Sequence, residues 1–131
     1  MPLTEDQAGF LRSVRVARLA TIGADGGPHV VPVCPVVDDG EVVIALEAGS
    51  LKSRNARGDP RVSLVADDYG EDWDALAGVV IRGRVRFLEG VAWTRARALL
   101  YEKFTQYECS APIDDWDVIA IDPEHVASWG L

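Results

Sequence analysis

The chain has 131 residues, an apolar fraction of 48% and a formal charge of −8. That length suits one domain over residues 1–131 with a proper core, and no apolar run reaches the roughly 20 residues a membrane helix needs. The acidic balance argues against nucleic acid, whose affinity comes largely from Lys and Arg on phosphates.

The start, Met1 to Asp6, lacks the basic and apolar regions of a secretory signal, so a cytoplasmic protein is expected. Cys34 and Cys109 have neither metal-like nor redox-like spacing and read as reduced thiols.

In chain order, Thr4 with Gln7 forms a capping-box pattern, and Ala8, Leu11 and Val14 recur at helical spacing, which predicts a helix over 5–14. Residues 16–22 read as a strand, followed by the turn Gly23-Ala-Asp-Gly-Gly-Pro28 and a second strand over 29–37. Pro32 and Pro35 lack N–H donors, so this second strand cannot be hydrogen-bonded along both sides. Either it is an edge, or its irregular part faces a ligand. Residues 41–46 are a third strand after the turn Asp38-Asp-Gly40.

The segment from Gly49 to Arg61 then carries Lys52, Arg54, Arg57 and Arg61 against Asp59, a local charge of +3 in an acidic chain. Ser50 can cap a short helix here, and Asp59-Pro60 ends it because a residue before proline is pushed out of the helical region. Free helix N–H groups with Lys52 and Arg54 beside them suit a phosphate. A solvated basic turn between strands would show the same residues.

Residues 61–66 form a fourth strand, and residues 67–74 an acidic loop holding Tyr69 and Trp73. In a fifth strand over 79–88, Ile81, Val85 and Phe87 share one face and Arg82, Arg84 and Arg86 the other, which is a solvated face or the wall of an anion groove. Trp93, Ala96, Leu100 and Phe104 mark the stripe of a helix over 92–105. A loop over 108–115, a sixth strand over 117–122 stopped by Pro123, and a short last strand over 125–129 follow. Six or seven antiparallel strands with two or three short helices make a mainly β (α+β) chain, and closing the sheet into a small barrel protects its edges.

Signatures of independent catalysis are missing. No dinucleotide or phosphate-loop glycine motif, no G-x-S-x-G and no paired histidines appear, and His29 and His125 stand alone. No catalytic residue can be named. An enzyme built on this chain would leave the hard chemistry to a cofactor.

The order of these pieces resembles a known family. Val16-Ala-Arg-Leu-Ala-Thr-Ile22, a Gly/Asp turn and Pro28-His-Val-Val-Pro-Val33 are similar to the opening hairpin of the pyridoxamine 5′-phosphate oxidase-like split barrels. Lys52-Ser-Arg-Asn55 and Asp59-Pro-Arg-Val-Ser-Leu64 resemble that family's next two motifs. Tyr69 to Trp73 and Val118 to Pro123 are similar to a branch assigned to the deazaflavin coenzyme F420. The likeness spans about residues 10–129.

The resemblance implies an antiparallel split β-barrel of the FMN-binding type and a homodimer with the cofactor at its interface. Lys52 and Arg54 would hold the cofactor phosphate, supported by Ser50 and Asn55. His29, Val31, Pro32 and Val33 would line the ring, with Arg18 adding charge and Trp73 arriving from a second subunit.

Arg57, Arg61 and the Arg82–Arg84–Arg86 row could extend the cluster into a longer groove for the carboxylate tail of F420, whereas FMN needs a single phosphate cluster. The expected function is an F420-dependent reductase acting on a small organic molecule. The alternatives are an FMN enzyme, or a carrier of F420 or haem without turnover. The end at Ser128-Trp-Gly-Leu131 lacks the basic, aromatic segment of pyridoxamine phosphate oxidases proper, which speaks against that reaction.

Overall fold

The computed structural model describes residues 2–109 and 111–131. Helix α1 covers Glu5–Ser13, and the capping box is present, with Thr4 accepting from the Gln7 N–H and the Gln7 side chain returning to the Thr4 N–H. Strands β1 (Ala17–Ile22) and β2 (Pro28–Val33) form the expected hairpin, with Arg18 opposite Pro32 and Thr21 opposite His29.

The expected second strand over 29–37 is in fact two strands. Cys34 divides it, and β3 (Pro35–Asp38) pairs with β4 (Glu41–Leu46). The sheet order is β2-β1-β5-β6-β7-β4-β3, so β2 and β3 are its opposite edges. Cys34 alone separates Val33 from Pro35, and consecutive Cα atoms stand about 3.8 Å apart. The sheet must therefore curl until its two edges meet at that residue. Pro32 and Pro35 thus lie on the two edge strands, where a strand needs N–H donors on one side only.

Helix α2 (Leu51–Gly58) is capped by Ser50 and ended by Asp59. Strand β5 (Arg61–Asp68) runs on through Asp67 and Asp68, which the sequence placed in the acidic loop, and a single 3-10 turn covers Trp73–Ala75. Strand β6 covers Ala77–Phe87. The two expected C-terminal strands are one continuous β7 (Asp117–Trp129), with an irregularity opposite Arg82 and Gly83 where Pro123 passes. Pro123 bends the ladder without ending it.

Helix α3 covers Gly90–Lys103, and a short α4 (Gln106–Cys109) occupies the start of the expected loop over 108–115. Residue 110 of that loop lies outside the described residues. Among the described residues, four α-helices thus replace the expected two or three. Cys34 and Cys109 are free thiols.

The pleat divides the core. Val42, Ile44, Leu46, Ile119 and Ile121 point into the barrel with Leu19, Leu64 and Ile81. Their neighbours Val43, Ala45, Val118 and Ala120 point the other way, against Ala96, Leu100 and Phe104 of and beside α3. Strands β4 and β7 are covered on both faces, hence their continuous apolar runs. Among the described residues the helices pack into the barrel core or against β3, β4 and β7, and Val30 on the outer face of β2 is 63% exposed. Among the described residues no helix is long and apolar enough to cross a membrane.

Candidate functional site

A cleft of about 1140 Å³ lies between the β1–β2 turn and α2. Its first wall is the turn itself. The Gly23 N–H donates to Gly27 O at 2.8 Å, and Asp25 Oδ1 accepts the Gly27 N–H at 2.9 Å. Gly26 takes φ +82°, a conformation that a side chain would strain.

The opposite wall is one face of α2: Leu51, Arg54, Asn55 and Gly58 all line the cleft, at spacings of three and four residues. Asn55 is buried and donates from Nδ2 to Thr21 Oγ1 at 3.1 Å, which fastens the helix to β1. On the far side Ser53 Oγ donates to Asp117 Oδ2 at 2.6 Å, fastening it to β7. The helix is thereby fixed across the end of the barrel, and its charged side chains are carried at set positions.

Of the residues expected at the site, His29, Arg54 and Asn55 do line this cleft. Ser50 is engaged as the helix cap, accepting the Ser53 N–H at 3.3 Å. Lys52 lies outside the lining, roughly 100° round the helix from Leu51, half-buried and without an ion-pair or hydrogen-bond partner among the described residues.

Arg57 faces away from the cleft. It pairs with Asp117 at 3.0 Å, and its guanidinium lies 3.9 Å from the centre of the Phe87 ring. Val31 and Val33 turn inward and join the barrel core, while Pro32 and Arg18 stand opposite one another on the hairpin with Arg18 exposed. Trp73 is 80% exposed. It follows the end of β5 opposite to Arg61, and eight strand residues span about 25 Å, so it cannot reach the cleft of its own chain.

Sequence reasoning passed over Thr21, Leu51, Gly58 and the backbone of the Gly23–Gly27 turn. The 51/54/55/58 spacing was the available signal for the helix wall.

Arginines expected to extend a basic groove are largely occupied. Arg61 is held by Asp59 at 2.7 Å, Arg84 lies 3.6 Å from Glu124, and Arg86 is bidentate on Glu41. Arg82 and Arg18 have no carboxylate partner among the described residues, and both lie on exposed strand positions. The cations free of carboxylates on α2 are therefore Lys52 and Arg54. No group of residues suited to a metal ion occurs among those described.

The pyridoxamine 5′-phosphate oxidase family matches residues 3–130, nearly the whole chain. The chain belongs to that family. A 5a,11a-dehydrotetracycline/5a,11a-dehydrooxytetracycline reductase from Streptomyces rimosus is 29% identical, over all of this chain and 85% of its own length. Among solved structures, the conserved hypothetical protein Rv2991 from Mycobacterium tuberculosis superposes with a TM-score of 0.83 at 32% identity, covering 97% of this chain and 84% of that one. A haem-binding protein from Mycobacterium smegmatis gives a TM-score of 0.81 at 24% identity, covering 98% of this chain and 55% of its own. At that identity the likeness establishes the shared split barrel.

On the cleft wall Arg54 is a cation without a carboxylate partner among the described residues, and Lys52 stands beside the lining on the same short helix, an arrangement suited to one anionic group such as a phosphate.

Proposed function

We propose that this protein is an oxidoreductase that passes a hydride between a phosphate-bearing flavin-type ring and a small organic acceptor, with coenzyme F420 as the first candidate and FMN as the second. The cleft carries this reading, because its helix wall presents Arg54 with Lys52 close by, the cations of α2 left without carboxylates. The relative from Streptomyces rimosus, named as a reductase, supports the reaction type.

A bound ring of this class supplies and accepts the hydride itself, which accounts for a site lacking an acid–base pair. What the chain does is bind and orient. Lys52 and Arg54 hold the phosphate, Asn55 keeps α2 in register with β1, and His29 with the Gly23–Gly27 turn limits how far the ligand can slide.

FMN is kept as a second reading on a specific observation. Arg57, Arg61, Arg84 and Arg86 are each met by a carboxylate, which leaves free charge for about one phosphate. A carrier without turnover is the third, in line with the haem-binding protein of the same fold.

The site is shared between two copies in this proposal. The bare outer sheet face offers Val30 and its neighbours to a second copy, which would bring its exposed Trp73 toward the cleft. The proposal includes no nucleic-acid or membrane partner and a cytoplasmic location. The deciding experiment titrates one preparation with FMN, F420 and haem, then follows acceptor-dependent reoxidation of whichever reduced cofactor binds. Failure of all three to bind would end the proposal, binding without reoxidation would leave the carrier, and a monomer by light scattering with cofactor present would rule out the shared site.

A further inference from the structure

Asp59 and Arg61 both line the cleft, at the C-cap of α2 and the first position of β5. Their pairing is bidentate and backed by the main chain. Arg61 Nε donates to Oδ1 at 3.0 Å, Nη2 to Oδ2 at 2.7 Å, and the Arg61 main-chain N–H to Oδ1 at 3.1 Å. Pro60 between them restricts the backbone, so the two side chains face each other across a stiff joint. Arg84, directly opposite Arg61 on β6, is engaged by Glu124. The formal charges lining the cleft, Arg54 and Arg61 against Asp25 and Asp59, cancel, although the surrounding segment is basic.

We propose that Asp59 is the charge-selectivity residue of this cleft: by holding the Arg61 guanidinium it leaves one strongly cationic corner, at Arg54, and disfavours ligands whose second anionic group directly adjoins the first phosphate, as in a polyphosphate. A second anionic group reaches the Nε–Nη2 edge of Arg61 only by displacing a bidentate carboxylate, and at the open Nη1 edge it meets a guanidinium whose charge that carboxylate already offsets. The Arg61 hydrogen bonds hold the Asp59 carboxyl down at about 2, so the obstacle persists at every working pH. This inference rests on reading the cleft as an anion site and adds which anions it accepts.

Asp59→Asn removes the charge and keeps the shape, and the amide oxygen can still accept the Arg61 main-chain N–H. Calorimetric titrations of the purified full chain with inorganic phosphate and with tripolyphosphate provide the readout. The variant is expected to bind tripolyphosphate about five- to tenfold more tightly than the wild type while phosphate changes less than about twofold. Adding Arg61→Ala to that variant should abolish the gain. Equal gains for both probes, no gain, a gain that survives Arg61→Ala, or no measurable binding of tripolyphosphate to Asp59→Asn would each overturn the inference. An Arg54→Ala arm keeps the two ideas apart. Unchanged phosphate affinity in that variant counts against the anion-site reading, while the comparison of probes still decides the role of Asp59.

Discussion

Arg54→Ala should weaken binding of the phosphate-bearing cofactor by about tenfold while leaving the fold as stable as before. Removing one charge-assisted contact costs roughly 1.5–3 kcal/mol, and the exposure of Arg54 places it at the lower end, near 1.5 kcal/mol, which is about tenfold in affinity. Arg54 has no side-chain partner among the described residues, so its loss should leave the apo fold intact.

Arg57→Ala makes the contrast. It removes an ion pair with Asp117 and a ring contact with Phe87, so stability should fall while affinity stays within about twofold. Lys52→Ala should fall between the two, since Lys52 is free of partners but lies off the cleft-facing stripe. The assay is a fluorescence titration of cofactor, paired with urea unfolding, on all three variants. Wild-type affinity in Arg54→Ala, or a larger affinity loss in Arg57→Ala, would refute the assignment of the cleft-facing side of α2.

Three other outcomes are expected. Thr21→Val leaves the buried Asn55 amide without its acceptor and should cost about 1–3 kcal/mol in urea unfolding; a change under about 0.5 kcal/mol would show that the Thr21–Asn55 bond does not fasten α2. Gly83→Ala drives a Cβ into the Asp122 carbonyl oxygen, and because both sides are backbone the strand pair must separate, at a cost of about 3 kcal/mol; wild-type stability would show that β6 and β7 are not in this register.

Burial and the nearby Arg15 charge push the Lys103 ammonium down to about 8 from its usual 10.5. From about pH 8 to about 10 the unfolded chain then holds more of this proton than the folded one, so stability should rise with pH over that window. Tyr107, raised by burial above its usual 10.0, works in the opposite sense at higher pH. Lys103→Met should lose this rise, and equal slopes for the two proteins in urea titrations between pH 8 and 10 would disprove it.

Much of this was legible in the chain alone because it is local. The capping box at Thr4, the Ser50 cap, the Asp59-Pro60 stop and the alternation along β6 depend on a few adjacent residues, and each appears at the expected place. Residues 29–37 and 117–129 depart from the expected strands for one shared reason. A proline cannot show from sequence whether it ends a strand, bends it or marks an edge, since that depends on which neighbour would have used the missing N–H.

The site divides along the same line. That a compact set of cations follows the third strand, under a serine cap, was determined by the order of residues. Which of those cations remain free was decided by folding, which brings Asp117 against Arg57, Glu124 against Arg84 and Glu41 against Arg86 from 60, 40 and 45 residues away. Charge can be counted along a chain, but pairing needs neighbours in space, and only the curled sheet supplies them.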